Sequence, residues 1–169
     1  MNNNDILRRI RFALSLNDQQ MIAIFAHMDQ QVSAAVLHQY LAKEDDKDYA
    51  PCRDKMLEAF LDGLIIEKRG RQEDAPLPSL KKRLTINDML MKLRIALMLK
   101  SEDMIEILAL ADFRLSKGEL SAFFRKPDHR NYKSCGTQVL RNFLFGLTKK
   151  LRPESDKTSN KKMIKPKDK

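Results

Sequence analysis

Residues 115–132, LSKGELSAFFRKPDHRNY, and residues 32–49, VSAAVLHQYLAKEDDKDY, align without a gap and decide the fold of this 169-residue chain. Ser116 and Glu119 form a Ser-x-x-Glu capping box, which is typical of the start of a helix. Apolar residues then recur at helical spacing from Leu120 onward. The downstream stretch therefore predicts a short capped helix followed by a polar loop, and the upstream stretch predicts the same unit again.

The similarity continues outward as a tandem duplication with an offset of 83 residues. The matched segments are NDILRRIRFALSL with NDMLMKLRIALML, MIAIFAHMD with MIEILALAD, KEDDKDYAPC with KPDHRNYKSC, and LEAFLDGL with LRNFLFGL. Each copy contains four amphipathic segments, and a composition with only 5 Gly and 6 Pro favours helices over strands. We therefore predict an all-α protein of two homologous four-helix units, with helix-turn-helix-like helices two and three in each.

Four segments follow from this organisation. We predict a first helical repeat over residues 1–69, a linker over 70–86, a second helical repeat over 87–152 and a disordered basic tail over 153–169. Glycine and proline in the linker break helices, and the tail has almost no apolar side chains to bury.

Two pairs of residues at equivalent positions carry predictions about the helices. Asn4 and Asn87 precede acidic residues and are predicted to be the N-caps of the first helix in each repeat. Gly63 and Gly146 lie inside the fourth helix, where glycine costs about 0.5 to 1 kcal/mol relative to alanine. We interpret these glycines as close approaches of a neighbouring helix backbone, with a hinge as the alternative.

The net charge of +9 is distributed unevenly along the chain. Residues 1–74 carry −3, residues 75–86 carry +3, residues 87–150 carry +5 and residues 151–169 carry +4. The basic excess therefore belongs to the second repeat, the linker and the tail. Opposite charges on the two repeats favour their mutual docking, or head-to-tail association of chains into a homo-oligomer, and the sequence leaves this choice open.

The second repeat has a set of basic residues around its third helix, which we name the basic rim. Its members are Arg114, Lys117, Arg125, Lys126, Arg130 and Lys133. Only Lys43 and Lys47 are basic among the six equivalent positions of the first repeat, where an acidic run lies instead. Because lysine and arginine neutralise phosphates, the rim is interpreted as a nucleic-acid-binding surface.

Other interpretations of the same residues stay open. Leu115 and Leu120 have the spacing of a helix-turn-helix unit, but the small residue and the glycine typical of that motif are missing. The rim is also consistent with an ordinary solvated face. A protein-interaction adaptor, using grooves of the helical units to hold a partner segment, is the alternative function.

Nothing in the sequence points to catalysis. There is no glycine-rich phosphate loop, no nucleophile motif and no metal-ligand spacing, so we expect no catalytic residues, no cofactor and no metal. Cys52 and Cys135 occupy equivalent positions, and each is predicted to be a small buried side chain rather than half of a disulfide.

Arg11 and Arg94 also occupy equivalent positions, within the pattern NDxLxxxRxAL. A solvent-facing arginine has no reason to recur in both copies. We expect ion pairs with Asp29 and Asp112, respectively.

No apolar run approaches the roughly 18 to 20 residues needed to span a bilayer, and the N-terminus lacks the apolar core of a signal peptide. The sequence therefore predicts a cytoplasmic protein with no membrane partner.

The doubled pattern as a whole resembles a known family. It runs NDxLxxxRxAL, MIxIxAxAD or its variant, LSxxELSAFFRKPDHxxYxxCG and LRNFLxGL, and it is similar to the YehS-like family of small bacterial proteins over residues 1–153. The resemblance implies a bacterial cytosolic protein built from two copies of one helical domain. The family has no established function, so the resemblance implies no catalytic or binding residues.

Overall fold

The computed structural model describes residues 1–81 and 83–153, and this part of the chain forms eight α-helices and no strand. The first repeat contains α1 (Asn3–Leu14), α2 (Asp18–Ala26), α3 (Ala34–Leu41) and α4 (Asp54–Arg69). The second repeat contains α5 (Ile86–Ala96), α6 (Ser101–Leu110), α7 (Lys117–Phe123) and α8 (Thr137–Leu151). The all-α fold of two four-helix repeats is confirmed. Apart from Pro153, the predicted tail lies outside the described residues.

None of these eight helices has both the length and the apolar composition required to cross a membrane.

The starts of α3 and α7 are where the sequence predicts them. Ser116 Oγ accepts a hydrogen bond from the N–H of Glu119 at 3.1 Å, and Glu119 Oε1 accepts one from the N–H of Ser116 at 3.2 Å. Ser33 caps α3 by accepting from the N–H of Val36 at 3.2 Å. The predicted capping box is therefore confirmed, and it satisfies N–H groups that have no partner inside the helix.

The predicted N-caps of the first helices are wrong. α1 is capped by Asn2 and α5 by Thr85, each in a capping box with the aspartate three residues later. Asn4 therefore lies inside α1, is 1% exposed and reaches away from its own helix. Its Nδ2 donates to the carbonyl oxygens of Tyr40 at 2.9 Å and Ala50 at 2.8 Å, so it joins α1 to the two ends of the loop after α3.

The two glycines inside the fourth helices mark close helix packing. A Cβ atom added at Gly63 would overlap the carbonyl oxygen of Ile24, and one added at Gly146 would overlap that of Ile107. Because α2 packs on α4 and α6 packs on α8, only glycine lets these helix backbones approach so closely. The packing interpretation is confirmed for both positions.

The repeats dock on each other through their first and fourth helices. α1 packs on α8 and α5 packs on α4, and both contacts are more extensive than those between helices one and four of the same repeat. Since α1 corresponds to α5 and α4 to α8, the two contacts are equivalent, as in a twofold-symmetric dimer. The buried apolar residues of both repeats form one continuous core. The two repeats of one chain therefore dock on each other, and association of chains into a homo-oligomer stays a prediction.

An ionic cluster breaks the equivalence of the two contacts. On the α4–α5 side, Lys92 Nζ lies 2.6 Å from Asp62 Oδ1 and 3.5 Å from Glu58 Oε1, and both carboxylates are buried. The corresponding residues on the α1–α8 side are Arg9, Arg141 and Phe145, all exposed. The α4–α5 contact therefore includes a buried ion cluster, and the α1–α8 contact has no counterpart of it at these positions.

Candidate nucleic-acid interface

The basic rim surrounds α7 and the loop that follows it. Arg114 precedes the helix, Lys117 is its first residue, and the other four members lie between α7 and α8. All six side chains are exposed. The residues selected from the sequence are therefore accessible to a ligand.

Three of the six rim residues meet at one cavity. The cavity has a volume of about 550 Å³ and is lined by Arg125, Lys126 and Arg130 together with Asp128 and His129. The three cations outnumber the single carboxylate, so the lining has a net charge of +2 with the histidine neutral. A phosphate-sized anion in this cavity would meet cationic side chains from three positions of a single loop.

The other three rim residues, Arg114, Lys117 and Lys133, do not line this cavity. Lys117 Nζ instead donates to Glu102 Oε1 at 2.6 Å, and this hydrogen bond is the largest reason why the pKa of Glu102 lies below its ordinary value. Both side chains are exposed, so the pair is weakened by solvent and salt. The structure thus divides the rim into a converging half and a dispersed half.

A second cavity adds basic residues that were not among the predicted site residues. It has a volume of about 340 Å³, shares Arg125 with the first cavity and is also lined by Lys81 and Arg83. Lys81 pairs with Asp88 at 3.1 Å. Although burial raises the pKa of Asp88, hydrogen bonds from Thr85 and the charge of Lys81 outweigh it, and the pKa lies below its ordinary value. The charge of +3 on residues 75–86 was the sequence feature that could have identified Lys81 and Arg83 as part of the site.

Asn87 holds both ends of the basic loop. Its Nδ2 donates to the carbonyl oxygens of Phe123 at 3.0 Å and Lys133 at 2.9 Å, and its Oδ1 accepts from the N–H of Cys135 at 2.8 Å. The asparagine is buried within α5. The loop that presents the converging cations is therefore anchored on the first helix of its own repeat, by the asparagine that was predicted to be an N-cap.

The first repeat builds the same loop with the opposite charge. The N–H of Asp46 donates to the carbonyl oxygen of Lys43 at 2.9 Å, as the N–H of His129 donates to that of Lys126 at 2.9 Å. Residues 44–48 of the first repeat are nonetheless an exposed acidic run. Backbone geometry is thus common to both repeats, and the difference between them is chemical.

Arg11 and Arg94 close the turn between the first two helices of each repeat. Arg11 Nε donates to the carbonyl oxygen of Leu16 at 3.1 Å, and its Nη2 pairs with Asp18 Oδ1 at 2.7 Å. Arg94 Nε donates to the carbonyl oxygen of Leu99 at 3.1 Å. Their recurrence is explained by these turn contacts, and neither residue belongs to the basic rim.

The ion pairs predicted for these arginines, with Asp29 and Asp112, are wrong. Both aspartates follow a second helix and adopt the left-handed conformation, with φ of 55° and 54°. Aspartate is one of the few residues that tolerate this conformation. The two aspartates therefore recur for a reason of backbone geometry.

The two cysteines are free and buried, as predicted from the sequence. Burial raises the pKa of Cys52 to about 12 and that of Cys135 to about 11. Both thiols are therefore protonated near neutral pH, which makes them poor nucleophiles.

Comparison with known proteins identifies a family whose function is unknown. Residues 3–70 and 87–152 each match the family model described as "Protein of unknown function (DUF1456)". The chain is 43% identical to "Uncharacterized protein YehS" of Escherichia coli (strain K12) over 147 residues, which cover 87% of this chain and 94% of that protein. No solved structure matches the chain significantly.

Proposed function

The chain belongs to the DUF1456 family of proteins of unknown function, and we propose that it binds nucleic acid through the basic rim of its second repeat. The observation that carries this proposal is the convergence of Arg125, Lys126 and Arg130 on one cavity. Arg125 also borders the second cavity, so the basic surface continues to Lys81 and Arg83 of the linker. A continuous basic surface is the electrostatic feature that a phosphate backbone requires.

The position of these side chains favours contacts to the sugar-phosphate backbone. They lie on a loop anchored by Asn87, and α7 contributes only Lys117 to the rim. Reading of base edges usually depends on side chains along a helix or strand that enters a groove. The proposed binding is therefore governed by charge, with little dependence on base sequence.

The test is a titration of fluorescently labelled duplex DNA, followed by anisotropy at low and at moderate salt. Two double variants are compared with the unmodified chain: K126E/R130E in the basic loop, and K43E/K47E at the equivalent positions of the first repeat. Each removes the same amount of positive charge, so the second controls for net charge. Both also retain the backbone turn that the two repeats share.

We expect the unmodified chain to bind duplex DNA with a dissociation constant near the micromolar range at low salt. K126E/R130E should bind about tenfold more weakly or worse, and should reduce the slope of log affinity against log salt by about 2. K43E/K47E should stay within about twofold of the unmodified chain, since exposed charges away from the contact act only through the screened long-range field. Absence of micromolar binding, equal losses in both variants, or complete loss of binding on removal of residues 154–169 alone would each overturn the proposal.

A protein-interaction adaptor is the second candidate, and the lining of the second cavity favours it. Phe123, Phe124 and Tyr132 lie there beside Lys81 and Arg125. Such a lining suits a peptide segment that combines apolar and acidic side chains. In a co-purification screen, recovery of nucleic acid with the chain and of no protein partner would count against this candidate.

A further inference from the structure

The second cavity of the basic surface combines aromatic and cationic side chains. It has a volume of about 340 Å³ and lies between the start of α5 and the loop that follows α7. We propose that it holds one unpaired base of a single-stranded nucleic acid, while the phosphates of the strand contact Arg125, Lys126 and Arg130. The inference rests on the function proposed above and deepens it, because it names the form of nucleic acid that the second repeat binds.

The size and the lining of the cavity fit a base. Pockets for small ligands have volumes of about 300 to 1,000 Å³ and usually pair an apolar wall with a few polar groups that fix orientation. Phe124 and Tyr132 line the cavity and are half-buried, so part of each side chain is accessible to a ligand. Bases stack on such aromatic side chains in many proteins that bind single strands.

The charge of the cavity suits the phosphates on either side of such a base. It is lined by three cations and one carboxylate, namely Lys81, Arg83, Arg125 and Asp88. Lys81 pairs with Asp88, so these two charges balance each other. Arg83 and Arg125 are exposed, and neither pairs with a carboxylate in the part of the chain that the structure describes. The charge that attracts the strand is therefore that of the two arginines.

Arg125 joins this cavity to the neighbouring one. It lines both cavities, whereas Lys126 and Arg130 line only the first. A strand bound across Arg125 would place a base in the second cavity and an adjacent phosphate in the first. Aromatic side chains beside a positively charged groove are the arrangement with which proteins bind single strands. A duplex cannot use the second cavity, because its bases are paired and stacked inside the helix.

In the first repeat, Arg8 occupies the space that corresponds to this cavity. Its Nη1 donates to the carbonyl oxygen of Ala42 at 2.7 Å and lies 3.5 Å from that of Leu41, and its Nη2 pairs with Asp5. Arg8 corresponds to Met91 in the second repeat. The second repeat therefore lacks the guanidinium group that connects the first helix to the loop after the third helix.

The change from arginine to Met91 leaves hydrogen-bond acceptors at the cavity. The residues that correspond to the partners of Arg8 are Asp88, Phe124 and Arg125, and all three line the cavity. The carbonyl oxygens of Phe124 and Arg125 accept no hydrogen bond from residues 1–81 and 83–153. Cytosine, adenine and guanine carry exocyclic amino groups, which are donors for such acceptors. A base can thus take the place that a guanidinium group takes in the first repeat.

The test titrates the full chain into three fluorescently labelled probes of equal length, followed by anisotropy. The probes are an oligodeoxycytidine, an oligothymidine and a duplex of mixed sequence. M91R introduces the arginine of the first repeat, so it adds a positive charge while filling the cavity. M98R is the control, because Met98 follows α5, is 67% exposed and does not line the cavity. It makes the same change in charge and composition elsewhere.

We expect M91R to weaken binding of the oligodeoxycytidine by about tenfold or more, because the new side chain takes the place of the base. An effect of charge alone would have the opposite sign. M91R should leave binding of the duplex within about twofold, and M98R should leave both within about twofold. The unmodified chain should bind the oligodeoxycytidine about threefold more tightly than the oligothymidine, since thymine has an acceptor where cytosine has an amino group.

The outcomes separate this inference from the proposed function. If no probe binds, both are overturned. If K126E/R130E weakens binding of every probe but M91R leaves binding of the single strands unchanged, the proposed function stands and the inference fails. The cavity would then suit the peptide of the adaptor candidate.

Two other results would also overturn the inference. An equal loss for the single strands and the duplex in M91R would show that the arginine disturbs the basic loop as a whole. Equal affinity for the oligodeoxycytidine and the oligothymidine would show that no amino group reaches the acceptors. If M91R fails to fold, F124L decides the question, because it removes a ring from the cavity and introduces the leucine of the first repeat. Unchanged binding of the single strands by a folded F124L chain would mean that no base stacks there.

Discussion

Substitution of Lys92 by methionine is the most direct test of how the two repeats are joined. Lys92 extends from α5 to two carboxylates of α4, with its Nζ 2.6 Å from Asp62 and 3.5 Å from Glu58. The lysine side chain is 19% exposed, and those of Asp62 and Glu58 are 4% and 1% exposed. Asp62 Oδ2 already has no hydrogen-bond partner in the described part of the chain. Without Lys92, two buried carboxylates would lie one helical turn apart on α4 without the cation that pairs with them.

The size of the effect follows from this burial. Removal of one partner from a buried ion pair costs about 3 to 5 kcal/mol, since the remaining charge stays desolvated and uncompensated. Methionine keeps the length of the aliphatic chain, so the loss of packing should add little. We therefore expect K92M to lower the free energy of unfolding by about 3 to 5 kcal/mol, a large part of the roughly 5 to 15 kcal/mol of an ordinary domain.

Urea unfolding followed by far-UV circular dichroism measures this free energy. Arg9 occupies the equivalent position in the first repeat and is exposed, so R9M should change stability by less than about 0.5 kcal/mol. The double variant D62L/K92M removes both partners of the shortest contact. It should be more stable than K92M, because Glu58 keeps a hydrogen bond from the N–H of Lys81 at 2.6 Å. A loss below about 1 kcal/mol in K92M, or a double variant less stable than K92M, would refute this reasoning.

Two further predictions concern the loop anchors and the thiols. N4A leaves two backbone carbonyls and the N–H of Cys52 without their partner, so it should lower the free energy of unfolding in urea by about 3 kcal/mol. Y49F removes only the hydrogen bond of 3.3 Å from the Tyr49 hydroxyl to Asn4 Oδ1, so it should lower this free energy by less than about 1 kcal/mol. A Y49F chain as unstable as N4A would contradict this ranking. Burial raises the pKa of Cys52 to about 12 and that of Cys135 to about 11. The native state therefore favours the protonated thiols, and this contribution to stability is complete below about pH 9 and is lost as the pH rises through about 11 to 12. Near pH 8 they should react with an aromatic disulfide reagent far more slowly in the native chain than in urea, and equal rates would show that the thiols are accessible.

Local features of the fold were predictable because their partners are close in sequence. The capping box of Ser116 and Glu119 joins residues three positions apart, so the sequence contains the whole motif. The glycines of the fourth helices were informative for a different reason. Glycine is unfavourable inside a helix, and its presence at equivalent places in two copies required a packing cause. In both cases one physical explanation clearly outweighed the alternatives.

The roles of Asn4 and Asn87 could not be obtained in this way. An asparagine near the start of a helix is equally suited to capping that helix and to bonding a distant backbone. The acceptors of Asn87 lie 36 and 46 residues further along the chain, and no local pattern specifies them. The recurrence of the asparagine in both repeats was a signal of importance, but it did not reveal the type of contact.

The candidate interface was predictable in composition and only partly in geometry. The contrast in charge between the repeats identified the basic rim, yet it gave no reason to separate Arg125, Lys126 and Arg130 from Arg114. That separation depends on how the loop folds between its anchors. The linker cations reach the same surface because the N–H groups of Lys81 and Leu84 are held by carboxylates of α4, which is a contact between distant parts of the chain.

The way the repeats dock bears on where function can differ between them. Each repeat covers faces of the other's first and fourth helices, so removal of either would expose apolar residues that belong to one shared core. The residues that hold the backbone of both repeats in place must therefore be kept, and together they form a common skeleton. It consists of the Asn4 and Asn87 loop anchors, the Arg11 and Arg94 turn contacts, and the fourth-helix glycines. Exposed side chains outside this skeleton, the shared core and the buried ion cluster are free to differ without loss of the fold. The converging cations of the proposed nucleic-acid interface, Arg125, Lys126 and Arg130, lie at such positions in the second repeat. Exchanging residues between equivalent exposed positions of the repeats thus changes the chemistry of a surface while keeping a side chain that the same backbone already accommodates.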